Sequence, residues 1–127
     1  SVDLIGLLYY DGNRWGMEVY FRDKRLQRLL TDDRACSREF GSACARKIKI
    51  RLLLLDQAAT LEELQHAPGR CHALKGDRKG QFAVDLTGGF RLIFAAADDP
   101  VPTRPDGSLD LRRVCIVEVL EVIDYHD

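Results

Sequence analysis

Tyr125 and His126 follow directly on the apolar run from Val114 to Ile123. A tyrosine and a histidine held at the end of a core strand can trade protons with a bound substrate. Upstream, Arg91 and Lys75 offer positive charge. Arginine grips a phosphate at two points, and lysine acts on it as a point charge. Such parts suit phosphodiester cleavage. RNA is cut without metal or water when its own 2′-OH attacks the adjacent phosphorus. That route needs a base near the 2′-OH, an acid near the leaving 5′-oxygen and cations around the phosphate. Tyr125 and His126 are candidates for the proton transfers, in either order, and Arg91 and Lys75 for the charge. His72 lies three residues before Lys75, so an extended segment would point the two to opposite faces.

Each residue also has an ordinary explanation. A tyrosine–histidine pair can be a surface pair, Arg91 a solvated or paired strand arginine, and Lys75 to Arg78 a charged turn. His66 falls near the end of a short helical segment, where a cation is favourable. The histidines lack the spacing of a zinc site, so neither metal nor cofactor is expected.

The elements that must position these residues follow from periodicity. Glu18-Val19-Tyr20-Phe21 reads as a strand rich in β-formers. Residues 23–30 and about 37–59 read as helices. In the second, Phe40, Cys44, Ile48, Leu52, Leu55 and Ala59 form an apolar stripe. Gly41 weakens its first turn. Thr60 and Glu63 have the form of a capping box, and Pro68-Gly69 stops the short helix they open. Strands follow. Cys71 to Leu74 is a short one. Gln81 to Leu86 and Phe90 to Phe94 alternate cleanly, joined by Thr87-Gly88-Gly89. That loop sets 86 opposite 90, 84 opposite 92 and 82 opposite 94. Phe82, Val84, Leu86, Phe90, Leu92 and Phe94 then share the core face. Arg91 projects from the other face, near Asp85, because a one-residue slip would bury it. Residues 97–113 form a polar loop. The run 114–123 is apolar on both faces, as a central strand would be. The order is that of an α+β fold.

Composition sets the limits. The chain has 127 residues, enough for one domain and core. Residues 1–16 read as an extension preceding a domain over 17–127. No run approaches a membrane span, and the start lacks the marks of a signal peptide. The four cysteines, at 36, 44, 71 and 115, form no Cys-x-x-Cys pair. They are expected to be reduced and mostly buried, in a cytoplasmic protein. The net charge of −1 hides an asymmetry. Residues 17–79 carry 14 Lys and Arg against 9 Asp and Glu; residues 80–127 carry 4 against 9. The basic half can meet nucleic acid or serve as a solvated helix face.

Residues 72–94 resemble the middle of HigB-type toxins of the RelE/ParE superfamily, also called plasmid maintenance killer proteins. The shared pattern is His72-Ala73-Leu74-Lys75-Gly76-Asp77-Arg78, then Phe90-Arg91, then Asp124-Tyr125-His126, and the likeness spans about 17–127. It implies a RelE-like β-α-α-β-β-β fold, with an antiparallel sheet packed on N-terminal helices and a concave sheet face. It implies a ribosome-dependent mRNA endoribonuclease, or mRNA interferase, that inhibits translation by metal-independent cleavage. Carried over by motif, Lys75, Arg91, Tyr125 and His126 are catalytic, and His72, Arg78 and Asp124 contact substrate. The implied partners are a HigA-like helix-turn-helix antitoxin, the ribosome and mRNA, with no membrane. Two other functions fit the same fold: a ParE-like gyrase poison, and a non-catalytic member that only binds antitoxin.

Overall fold

The computed structural model describes residues 16–125. The expected extension, apart from Gly16, lies outside the described residues, as do His126 and Asp127. The chain runs β1 (Glu18–Phe21), α1 (Lys24–Thr31), α2 (Asp33–Phe40), α3 (Ser42–Gln57), α4 (Leu61–Leu64), β2 (His72–Ala73), a 3-10 turn (Gly76–Arg78), β3 (Gln81–Asp85), β4 (Phe90–Ala96) and β5 (Ile116–Asp124).

Aspartates start the first two helices. The Asp23 carboxylate accepts from the Leu26 N–H at 2.8 Å, and that bond, with Arg22 beside it, holds the carboxyl below its ordinary range. Asp32 accepts from the N–H groups of Arg34 and Ala35 at 2.9 and 3.1 Å. The single helix expected over 37–59 is in fact two. Gly41 sits between them at φ 87°, where a β-carbon is disfavoured, so α2 ends and α3 restarts. The stripe holds from Cys44 through Leu55, all buried. It fails at Ala59, which is exposed because the chain turns extended at Ala58 and buries that residue instead. The capping box does not form: the Glu63 carboxylate accepts at 3.2 Å from the N–H of Ala59, one residue before the N-cap, and Thr60 makes no side-chain cap.

The sheet has five strands in the order β1-β5-β4-β3-β2. Four of them run antiparallel, as expected. The fifth, β1, adds to β5 in parallel, Glu18 opposite Ile116 and Phe21 opposite Val119. A parallel pair needs a crossover, here the helices and the rest of the sheet. β5 is therefore an interior strand, paired on both edges, matching its apolar composition. The β3–β4 register is the expected one: Phe82 faces Phe94, Val84 faces Leu92 and Asp85 faces Arg91. Phe82, Val84, Leu86, Leu92 and Phe94 are buried in the core with Ile48, Leu52 and Leu55 of α3. Phe90 packs at the margin, edge-on to Phe40 at 5.9 Å between ring centres.

One irregularity governs the far side of the sheet. Ile93 pairs with Glu121 and Phe94 with Val119, so Leu120 is an extra residue in β5. Its carbonyl accepts from Arg22 Nη1 at 2.7 Å. A regular strand with Val117 and Val119 inward would also turn Glu121 inward. The bulge shifts the alternation by one. Val122 packs on the core opposite Leu92, and Glu121 and Ile123 face outward.

Candidate active site on the outer sheet face

The face turned away from the helices has an apolar floor. His72, Ala83, Ile93 and Glu121 lie in one row across β2, β3, β4 and β5. Asp85, Arg91 and Ile123 lie in the next row. Ala83 and Ile93 have no solvent exposure, and among the described residues no helix packs on this side of the sheet. Long polar side chains stand beside them, stems down and charged ends out.

Those side chains are organised as two clusters. In the first, Arg91 Nε bonds Asp85 Oδ1 at 2.8 Å. Asp85 also binds Arg70, with Nε to Oδ2 at 2.6 Å and Nη2 to Oδ1 at 3.3 Å. This pairing pushes the Arg70 guanidinium further above its ordinary value. The Arg91 guanidinium lies 5.9 Å from the centre of the Tyr125 ring, a cation–π distance. The Tyr125 N–H donates to the Gly89 carbonyl at 2.8 Å, which ties the strand end to the hairpin loop. Tyr125 keeps the parity of Glu121 and Ile123, so the bulge at Leu120 is what brings its ring to the face of Arg91. In the second cluster, Arg78 Nη1 donates to Gln81 Oε1 and Nη2 to Glu121 Oε2, both at 2.8 Å. Glu121 raises the Arg78 guanidinium in turn. Both ion pairs are half-buried, and each cation already has a carboxylate partner.

The turn before β2 carries the first cluster's other half. Arg51, 9% exposed, rises from α3 and donates through Nε to the Asp85 carbonyl at 2.9 Å. Gly69 crosses it at φ 115°; a β-carbon there would lie 2.9 Å from Arg51 Nε. Arg70 follows at φ 51°, and its carbonyl stands 2.7 Å from His72 Nδ1.

The residues expected to do chemistry are thus only partly assembled. Arg91 and Tyr125 meet. Arg78 shares their face, bound to Glu121, and His72 stands at the edge of the same face. Lys75 opens the 3-10 turn and lines a cleft of about 870 Å³ with Ala73, Phe82, Thr103, Asp106 and Ser108. Ala73 pairs with Phe82, which turns inward, so this cleft opens from the opposite side of the sheet edge to His72. Asp124 pairs with Phe90, and strand alternation puts it on the helix face. His126 lies outside the described residues. The exposed cations of α1 to α3, such as Arg28, Arg38 and Arg46, stand on the helical layer and do not reach this face.

Residue types alone missed Asp85, Glu121, Gln81 and Arg70. Asp85 had a signal, since the hairpin register sets it across from Arg91. Glu121 had another: it interrupts the alternation of β5, and a carboxylate there must face outward. Among the described residues no group of three or more His, Cys, Asp or Glu could hold a metal ion, and no helix is long and apolar enough to cross a membrane. Cys36, Cys44 and Cys71 are buried and Cys115 is exposed, all as free thiols.

Comparison with solved structures gives the fold. The YoeB–YefM complex from Staphylococcus aureus matches with a TM-score of 0.52 at 13% identity, over 87% of this chain and 98% of that one. The YoeB/ParE toxin from Agrobacterium tumefaciens matches with a TM-score of 0.53 at 14% identity, over 87% of this chain and all of that one. A YoeB dimer from Staphylococcus aureus gives 0.50 at 15%, over 87% and 98%. No curated protein matches the chain. Residues 19–103 match the family model for the RelE-like toxin of the type II toxin–antitoxin system HigB. That span takes in His72 to Arg78 and Phe90-Arg91 and stops before β5. It covers most of the sequence, and with the RelE-like architecture it identifies the chain as a member of the HigB-like toxin family of type II toxin–antitoxin systems.

Proposed function

We propose that this toxin is a ribosome-dependent mRNA endoribonuclease that stops translation by cutting mRNA without metal. The observation that carries the reading is the meeting of Arg91 and Tyr125 on the outer sheet face. A guanidinium over a tyrosine ring supports a site in which Arg91 meets phosphate and Tyr125 moves a proton. Arg91 holds the scissile phosphate there, and its charge stabilises the transition state. Tyr125 and His126 exchange protons with the 2′-OH and the 5′-oxygen. Arg78 and His72 contact the flanking nucleotides. Lys75 and Asp124 belong to the same motif, and in this reading they act from the margins of the face. The bond that forms joins O2′ to phosphorus and the bond that breaks joins phosphorus to O5′, so no cofactor is needed.

The carboxylates give this reading a condition. Asp85 and Glu121 occupy Arg91 and Arg78 when no RNA is bound, so phosphate must displace or share them. The same ion pairs favour a second reading, in which the face is electrostatically closed and the protein only binds an antitoxin. The partner in either case is a HigA-like helix-turn-helix antitoxin. The working compartment is the cytoplasm, where ribosomes and mRNA are, and the toxin domain is residues 17–127. Translation-coupled mRNA cleavage by wild type, Tyr125→Phe and His126→Ala tests the proposal. Cutting by wild type and loss of about 100-fold or more in at least one variant supports it. Intact mRNA with tight antitoxin binding supports the second reading.

A further inference from the structure

Arg70 holds φ 51°, a conformation that residues with a β-carbon adopt rarely. Such strain persists where the surroundings over-determine it, and it concentrates at functional sites. Two contacts impose it here. Asp85 clamps the Arg70 guanidinium through both carboxylate oxygens. The Arg70 carbonyl then faces His72 Nδ1 at 2.7 Å. A carbonyl oxygen can only accept, so Nδ1 carries a hydrogen in this contact whether the ring is neutral or cationic. The atom that gains and loses a proton is therefore Nε2. The same Asp85 carboxylate takes Arg91 Nε at 2.8 Å. One side chain in the middle of the sheet thus sets the direction of Arg91 on one flank. Through Arg70, it also sets the imidazole of His72 on the other.

We propose that Asp85 is a positioning residue and Arg70 its relay, together presenting His72 as a proton acceptor at Nε2 on the far side of β3 from Arg91. The proposal rests on the ribonuclease reading above and deepens it. It changes one role in that reading: His72, there a nucleotide contact, in its neutral form takes the proton of the 2′-OH at Nε2 as the O2′–P bond forms, and the Tyr125–His126 pair keeps only the transfer to O5′. The P–O5′ bond then breaks, and O5′ receives a proton from the Tyr125–His126 pair. His72 ends as imidazolium with Nδ1–H still on the Arg70 carbonyl, so the hydrogen bond strengthens as charge develops. Arg51 supports the arrangement from below, through its bond to the Asp85 carbonyl and its contact with Gly69.

The test is nitrogen-15 NMR of the whole chain, reading the His72 ring and the Arg91 Nε–H, beside translation-coupled cleavage. Wild type should show His72 as the Nδ1–H tautomer and a protected Arg91 Nε–H. Asp85→Asn should move His72 toward the Nε2–H tautomer that free imidazole prefers, expose the Arg91 Nε–H to exchange, and slow cleavage about 100-fold, mostly in kcat. Arg70→Gly is the second variant, since glycine accepts this φ without strain. It should release His72 while leaving the Arg91 Nε–H protected. A His72 tautomer unchanged in both variants overturns the proposal, whatever the cleavage rate. Wild type that leaves mRNA intact yet shows an Asp85-dependent tautomer removes the ribonuclease reading and supports the positioning role.

Discussion

Deleting Leu120 tests whether it is the extra residue that shifts the alternation of β5. Without it Val119 runs straight into Glu121, and regular alternation keeps Glu121 outward opposite Ile93 and Val122 inward opposite Leu92. The 2.8 Å bond from Arg78 to Glu121 and the core contact of Val122 are therefore retained. What is lost is the Leu120 carbonyl that accepts from Arg22, an exposed bond worth about 1 kcal/mol. Urea unfolding followed by circular dichroism should therefore show a cooperative transition at a modestly lower midpoint. The Arg91–Tyr125 contact, read from the ring-current shift of the Arg91 side chain, should remain. Deleting Ile123 instead leaves the bulge in place and turns Tyr125 by one position, toward the Phe90 side, so the contact should then be absent. A Leu120 deletion that abolishes cooperative unfolding or the Arg91–Tyr125 contact, or an Ile123 deletion that keeps the contact, refutes the reasoning.

Three further outcomes follow from local structure. Asp32→Ala removes both N–H bonds at the start of α2 and should cost about 1 kcal/mol in denaturant unfolding. Gly16→Ala drives a β-carbon into the Asp56 carbonyl and should destabilise by about 1–3 kcal/mol, with a lower Tm. Burial pushes the Cys36 and Cys71 thiols up to about 11 from 9.0. The unfolded chain then releases these protons first as pH rises, so stability is full below pH 9 and falls between 9 and about 11. Unfolding midpoints that stay flat across that window contradict the assignment.

The local elements were legible because their signals are local. Two glycines in the loop after Leu86 and clean alternation on either side set the hairpin register, and register alone put Arg91 on the outer face beside Asp85. The split at Gly41 was half visible, since glycine disfavours a helix, but only the left-handed conformation of that residue shows that the helix stops. The parallel pairing of β1 with β5 has no local mark, because it joins segments nearly 100 residues apart. β5 was read as apolar on both faces, and the bulge replaces that description with a shifted alternation. The interruption at Leu120-Glu121 was its trace in the sequence. The family motif named Arg91 and Tyr125, yet not the carboxylates that bind the arginines. Asp85 could be read from the hairpin, whereas Glu121 acquires meaning only once β5 lies beside β4 and Arg78 reaches over it.

The central claim is tested most directly by mapping mRNA 5′ ends after the toxin is induced in translating cells, for wild type and Arg91→Ala. Wild type should give new ends at a fixed position within codons, inside reading frames and absent when translation is blocked. Arg91→Ala, folded with the wild-type circular dichroism spectrum, should lower them by about 100-fold or more. Ends out of phase with codons, or equal cutting by Arg91→Ala, would contradict the account.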